Sequence, residues 1–142
     1  MAGPQPGVVL DSSAVIALLR DEPAAEAVER LLRTGPARMS TVNVAETIDV
    51  LIRVYGGGPA EVHASVGQLL SSVAEAVPPS LEHAERAGEL RARLFDGRRR
   101  RVSLADCFVL ATAGLNGRIA TGDMLLAAVA RAEGIEVVLV SS

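Results

Sequence analysis

Lysine is absent from this chain, cysteine occurs once and aromatic residues make up only 2% of the sequence. No reaction that requires a lysine side chain can therefore run here, and all 14 cationic side chains are arginine. The single cysteine, Cys107, excludes an internal disulfide and a multi-cysteine metal site. No apolar run approaches the ~20 residues of a membrane span. With so few aromatics, the interior must be packed from Ala, Val, Leu and Ile.

The remaining composition predicts one globular domain, residues 1–142, in the cytoplasm. Hydrophobic residues make up 49% of 142 residues, which is enough for a single core. The N-terminus has no basic patch followed by an apolar stretch, so it does not resemble a secretory signal. The net charge of −3 becomes +1 when Asp11, Glu46, Asp106 and Asp123 are left aside. If these four acids form a pocket, an anionic partner would meet a near-neutral to basic surface around it.

Apolar periodicity predicts strands that alternate with helices. This pattern is typical of a parallel sheet, here of about four to five strands, covered by helices on both faces. Strands are predicted at 7–10, 38–41, 74–77, 118–120 and 136–140, and helices at 12–19, 21–34, 42–55, 60–72, 81–95, 103–116 and 124–133. We also expect Asp49 to form a salt bridge with Arg53, four residues further along the same helix.

Four acids stand at or near predicted helix starts: Asp11, Glu46, Asp106 and Asp123. Taken singly, each fits a helix cap better than a catalytic role. Asp11 and Asp123 can be N-caps, whereas Asn43 with Glu46 and Ser103 with Asp106 have the spacing of a capping box.

Taken together, the four acids favour a metal site. In a parallel sheet, residues that follow strands meet at one edge. The helix around Asp106 is apolar nearly all round, so a buried carboxylate there needs a proton, an arginine or a metal. Several carboxylates in one place repel each other unless a cation lies among them. Oxygen ligands suit Mg²⁺ or Mn²⁺.

At these residues the sequence resembles the PIN-domain nucleases, specifically the VapC toxins of bacterial toxin–antitoxin pairs. The resemblance extends over nearly the whole chain. It lies in Val8-Val-Leu-Asp11-Ser-Ser-Ala14, Ser40-Thr-Val-Asn-Val-Ala-Glu46, Val102-Ser-Leu-Ala-Asp106-Cys107 and Thr121-Gly-Asp123. The fold implied is a PIN-like three-layer α/β/α domain.

The resemblance also implies a chemistry. The family's acids correspond to Asp11, Glu46, Asp106 and Asp123, and its supporting hydroxyl residues to Ser13 and Thr121. Mg²⁺, or Mn²⁺ in its place, would activate water to cleave RNA, leaving a 5′-phosphate and a 3′-hydroxyl. The segment after Asp123 departs from the family, because members often have an aromatic residue where Met124, Leu125 and Leu126 stand.

Partners are implied in the same way. Family members cut transfer RNA or a ribosomal RNA loop, form homodimers and bind a small VapB-type antitoxin from the adjacent gene. The helices at 24–33 and 44–55 could supply protein contacts, although core packing explains their apolar residues equally well.

A run of four arginines, Arg98, Arg99, Arg100 and Arg101, precedes the Asp106 helix. Such a run is typical of a solvated loop, but its position suits phosphate contact as well.

Two other functions remain open on the sequence alone. An aspartate after the first strand also occurs in aspartate-based phosphatases and receiver domains. Those phosphatases typically need a second acid where this chain has Ser13, and both classes rely on a lysine. A non-catalytic binding module with the same fold is the other alternative, and it would bind no Mn²⁺ or Mg²⁺.

Overall fold

The computed structural model describes residues 7–141, which form five strands and seven helices. The strands are β1 (Val8–Leu10), β2 (Ala37–Ser40), β3 (Ala74–Val77), β4 (Arg118–Thr121) and β5 (Glu136–Leu139). The helices are α1 (Ser12–Leu19), α2 (Ala25–Thr34), α3 (Thr41–Arg53), α4 (Pro59–Ser72), α5 (Leu81–Leu94), α6 (Leu104–Ala113) and α7 (Met124–Ala132). The predicted elements are all present, with shifts of a few residues at their ends.

The strands form one sheet in the order β3-β2-β1-β4-β5, and every pair is parallel. From β1 the chain first builds the sheet outward through β2 and β3, and then returns to add β4 and β5 on the other side. The strand order therefore reverses between β1 and β4. In open α/β sheets, ligands bind beyond the carboxyl ends of the strands at such a switch point.

Alternating side chains of the short strands supply a core on each face of the sheet. Val9 and Ile119 face one core, which is completed by α5, α6 and α7. Val8 and Leu10 face the other, against α1, α2 and α4. A third apolar cluster joins α1, α3 and α4. The predicted three-layer α/β/α architecture is confirmed.

Local signals explain where several helices begin and end. α4 begins at Pro59, whose fixed φ suits a first helical position. α6 ends at Ala113, three residues before the predicted end, because Gly114 adopts a left-handed backbone with φ of 73°. Among residues 7–141, no helix combines the length and apolar character needed to cross a membrane.

Candidate active site

Asp11 lies at the switch point, directly after β1, and only 3% of its surface is exposed. It caps α1, because the backbone N–H of Ala14 donates to its Oδ1 at 2.9 Å. The Ser13 hydroxyl donates to both carboxylate oxygens, at 2.7 and 2.8 Å, and the Thr121 hydroxyl donates to Oδ2. The carboxylate is thus fixed by donors from α1 and from the end of β4.

The two hydroxyls are themselves oriented by backbone donors. Gly122 N–H donates to Ser13 Oγ at 2.9 Å, and Asp123 N–H donates to Thr121 Oγ1 at 2.9 Å. Each hydroxyl therefore directs its own hydrogen to Asp11. Since an ionised carboxylate offers about four acceptor positions, three donors leave Asp11 with roughly one position for a further ligand.

Glu46 lies in the second turn of α3, and its role differs from the predicted cap. The capping box between Asn43 and Glu46 is wrong: α3 begins earlier, at Thr41, and Ser40 is its N-cap, accepting from Val42 N–H at 3.3 Å. The helix starts there because β2 runs directly into it. Glu46 instead accepts a hydrogen bond from the Ser12 hydroxyl at the start of α1. Its carboxylate is thereby brought beside the helix that Asp11 caps.

Asp106 does form the predicted capping box. Ser103 N–H donates to Asp106 Oδ2 at 3.1 Å, and Asp106 N–H donates to Ser103 Oγ at 3.0 Å. No strand precedes this helix directly. Asp106 reaches the site because α6 packs across the sheet and against α3. The cap occupies Oδ2, and Oδ1 receives no hydrogen bond from residues 7–141.

Asp123 caps α7 and is the most exposed of the four acids. Its Oδ1 accepts from Leu125 N–H at 2.8 Å and from Leu126 N–H at 3.1 Å. Its backbone N–H, through Thr121, belongs to the network around Asp11. Asp123 can therefore cap α7 through Oδ1 and belong to the site at the same time, because its link to Asp11 runs through its backbone N–H.

The charges of these acids affect one another's pKa values. Burial raises the pKa of Asp11 to about 6, although the hydrogen bonds from Thr121, Ala14 and Ser13 lower it, and the Asp106 charge raises it further. Burial also raises the pKa of Asp106, against the bonds from Ser103, and the charges of Asp123 and Glu46 add to that rise. The carboxylates repel one another across the site.

No arginine neutralises this group in the described part of the chain. The salt bridges found there involve Glu22, Glu29, Asp49 and Glu133 instead. The predicted Asp49–Arg53 pair is confirmed at 2.9 Å. Residues 7–141 also contain no group of three or more acidic, histidine or cysteine side chains placed closely enough to hold a metal ion by themselves. Mg²⁺ does not require one, because it is usually held by one or two carboxylates, waters and substrate phosphate. The donor set therefore fits a hydrated divalent cation.

The four consecutive arginines lie in the loop between α5 and α6, and all are exposed. Asp96 organises the loop: its Oδ1 accepts from Arg98 N–H at 2.9 Å and Arg99 N–H at 3.2 Å, and its backbone pairs with that of Arg100. The backbone of the run is thus held without the guanidinium groups. No sequence pattern had pointed to Asp96.

Sequence reasoning also missed Ser12 and misassigned Asn43. Ser12 contacts Glu46, 34 residues away in sequence, and its only signal was adjacency to Asp11. Asn43 is buried at 0% exposure, with its amide Nδ2 3.5 Å from the Ala105 carbonyl. Its signal was the spacing of three residues from Glu46, which had suggested a cap.

Comparison with known proteins defines the class of this fold and site. The family model for the PIN domain matches residues 8–120. That range contains the first three acids and ends just before Thr121. The chain therefore belongs to the PIN-domain family, which sets aside the aspartate-based phosphatase alternative.

The relatives extend the comparison to the VapC ribonucleases. Ribonuclease VapC of Mycolicibacterium smegmatis is 34% identical over 113 residues, which cover 78% of this chain and 86% of that protein. The VapBC-5 structure from Mycobacterium tuberculosis is similar with 27% identity and a TM-score of 0.61, over 96% of this chain and all of that one (100%).

A third structure shares the fold at lower identity. VapC20 of Mycobacterium tuberculosis, a sarcin–ricin loop cleaving toxin, has a TM-score of 0.67 and 22% identity, over 85% of this chain and 93% of its own.

Proposed function

We propose that this protein is a Mg²⁺-dependent endoribonuclease and the toxin of a type II toxin–antitoxin pair. The observation that carries the proposal is a hydrogen-bond network at the switch point of the sheet. It joins Asp11 to Asp123 through Thr121, and it places Glu46 on Ser12, next to Asp11. Asp106 lies near enough for its charge to act on Asp11, which completes a set of four acids. Two of them have raised pKa values, and none pairs with an arginine among residues 7–141. The family membership supports the same function.

Each side chain has a proposed part in this reaction. Asp11 and Asp106 would hold the cation directly, Glu46 would bind it through water or accept the proton of the attacking water, and Asp123 would complete the site. When bound, Mg²⁺ or Mn²⁺ would supply Lewis-acid activation of water and neutralise charge on the scissile phosphate. Ser13 and Thr121 keep the Asp11 carboxylate oriented, as their contacts indicate.

Water, rather than the 2′-hydroxyl of the substrate, is the proposed nucleophile. Glu46 is suited to take its proton, because Ser12 engages Oε1 and no residue among 7–141 donates to Oε2. The products would carry a 5′-phosphate and a 3′-hydroxyl. RNA would then be distinguished by its shape and by contacts outside the reaction centre.

A structured RNA, transfer RNA or ribosomal RNA, is the proposed substrate. The sarcin–ricin loop named for the Mycobacterium tuberculosis relative is one candidate. Arg98, Arg99, Arg100 and Arg101 are proposed to contact phosphates, because their exposed loop leads into the helix that carries Asp106.

A VapB-type antitoxin and a second copy of this chain are the proposed protein partners, in the cytoplasm. Similar structures include VapBC complexes from Rickettsia felis and Salmonella typhimurium. The apolar surfaces of the helices at 24–33 and 44–55 are candidates for these contacts. Co-expression with the product of the adjacent gene, followed by mass measurement of the purified complex, tests both partners.

The decisive experiment measures cleavage of total RNA by metal-stripped protein after addition of Mg²⁺ or Mn²⁺. We expect cleavage only with the cation, and loss of cleavage in Asp11→Asn and Asp106→Asn. Asp49→Asn is the matched control, since Asp49 is exposed on α3 and paired with Arg53. Sequencing of the new 5′-phosphate ends identifies the target. Undiminished cation-dependent cleavage by either site variant, or no cation binding by the wild type, contradicts the proposal.

A further inference from the structure

Asn43 is a buried polar side chain that its surroundings satisfy only in part. It is fully buried, at 0% exposure, in the first turn of α3. Its Nδ2 donates a long hydrogen bond of 3.5 Å to the carbonyl of Ala105 in α6. Its Oδ1 is buried and receives no hydrogen bond from residues 7–141. The contact between Nδ2 and the Ala105 carbonyl fixes the orientation of the amide, because a flipped amide would place Oδ1 against the carbonyl oxygen.

A buried amide whose oxygen has no hydrogen-bond donor lowers the stability of the fold, whereas an apolar side chain of the same shape costs little. Leucine has the same number and branching of heavy atoms as asparagine beyond Cβ, so it could occupy the position without an unpaired polar atom. Packing therefore does not explain an asparagine here.

The position of Asn43 connects it to two of the four acids. Glu46 lies one turn further along α3, on the same side of the helix as expected for a spacing of three. Ala105, the residue that Asn43 contacts, directly precedes Asp106. The charges of Glu46 and Asp106 repel each other across this junction of α3 and α6. The amide contact is the side-chain hydrogen bond that joins the two helices in the described part of the chain.

We propose that Asn43 is a positioning residue of the acidic site, an inference that rests on the proposed function. Its amide holds α3 against α6 so that Glu46 and Asp106 can share one hydrated cation. Residues that orient metal ligands typically contribute about 10–100-fold to metal affinity or activity.

The experiment compares Asn43→Leu with Thr47→Val. Thr47 is equally buried on α3, but its hydroxyl donates to the Asn43 backbone carbonyl at 2.8 Å and not to α6. Both substitutions remove one buried polar group while keeping the shape of the side chain. Three quantities are measured for each: the Tm without metal, the Kd for Mn²⁺ alone, and kcat and KM for RNA cleavage.

We expect Asn43→Leu to weaken Mn²⁺ binding and to lower kcat by about tenfold or more, with little change in KM and no loss of Tm. Thr47→Val should leave Mn²⁺ binding and kcat within about twofold of wild type, because Thr47 does not help to orient the proposed metal ligands. If Asn43→Leu does not fold, Asn43→Ala is compared at a temperature at which it remains folded.

Two outcomes overturn the inference and separate it from the function. Unchanged Mn²⁺ affinity and kcat in folded Asn43→Leu, or losses in Tm, Kd and kcat that Thr47→Val matches, would show that Asn43 only fills space. The nuclease function would stand in both cases, because the wild type still binds metal and cleaves RNA. A wild type that neither binds Mn²⁺ nor cleaves RNA removes the proposed function and the inference with it.

Discussion

Several carboxylates on the outer surface of this protein pair with arginine, whereas the four acids of the site do not. Asp49 pairs with Arg53, and Glu133 pairs with Arg93 and Arg86. Arginine hydrogen bonds lower the pKa of both outer acids. In the site, burial raises the pKa of Asp11 and Asp106, and neighbouring acids raise it further.

The difference lies in whether an arginine is close to each acid, and not in the overall charge of the chain. The chain has 14 arginines for 17 acids, enough to pair most of them. Among residues 7–141 none forms a salt bridge with Asp11, Glu46, Asp106 or Asp123. A cluster of unneutralised, partly buried carboxylates is unfavourable in itself. It becomes favourable when a divalent cation supplies the missing positive charge, which is the physical basis of the proposed metal site.

The largest expected effect is the loss of RNA cleavage in Glu46→Gln, compared with a control substitution on the same helix. Glu46→Gln should lower RNA cleavage by about a hundredfold or more, because it removes the proposed proton acceptor and a negative charge of the site. Asp49→Asn, three residues further along α3, should leave cleavage unchanged because its charge is already paired. Single-turnover rates at saturating Mg²⁺ measure both. Equal losses in the two variants would abolish the distinction between the two groups of acids.

The next effect is a pH dependence set by Asp11. With a pKa of about 6 in the metal-free protein, Asp11 is protonated below that value and cannot bind a cation. At limiting Mg²⁺, cleavage should therefore rise with pH to a midpoint near 6, and saturating Mg²⁺ should move the midpoint lower because cation and proton compete. Initial rates between about pH 5 and 8 test this. A profile that does not respond to the Mg²⁺ concentration would speak against Asp11 as a ligand.

The fold followed from the sequence because it depends on local patterns, and so did the placement of two of the four acids. Strand and helix periodicities differ, and Asp11 and Asp123 closely follow short apolar strands, so their meeting at one edge could be predicted. The hydrogen-bond partner of Glu46 could not be predicted in this way. Its bond to Ser12 depends on how α1 packs against α3, which no local signal encodes. The cap misassigned to Asn43 had the same origin, since the start of α3 was decided by the end of β2.

Stability offers a third and smaller test. In the metal-free protein at pH 7, Asp106→Asn should raise the free energy of unfolding. The neutral amide can still accept from Ser103 N–H, and it does not repel Glu46 and Asp123. Because a raised carboxyl pKa means that the folded state takes up protons more readily than the unfolded state, the advantage should shrink as pH falls and Asp106 itself becomes neutral.

Adding cation should reverse that order. Mg²⁺ at about 100 times its Kd would stabilise the wild type by about 2.7 kcal/mol and the variant by much less. Thermal unfolding with and without Mg²⁺ at two pH values measures both effects. A wild type that is more stable than Asp106→Asn without metal would show that the acids of the site do not destabilise the fold.

The smallest expected effect concerns the arginine loop, whose exposed charges are proposed to contact substrate phosphates and not the acids of the site. Because Asp96 holds the backbone N–H groups of Arg98 and Arg99, replacing both arginines with glutamine should leave the fold intact. We expect KM for RNA to rise severalfold with kcat unchanged. The slope of log binding constant against log salt should become shallower by about 0.7–0.9 for each arginine–phosphate interaction that the substitution removes.

The matched control for the loop replaces Arg30 and Arg33, two exposed arginines of α2, with glutamine. This double variant carries the same change in net charge, so it should alter KM and the salt slope only through the general attraction between protein and RNA. If both double variants shift KM and slope equally, the loop attracts RNA only through its contribution to overall charge. The contrast between surface acids paired with arginine and the unpaired acids of the site would then not extend to substrate binding.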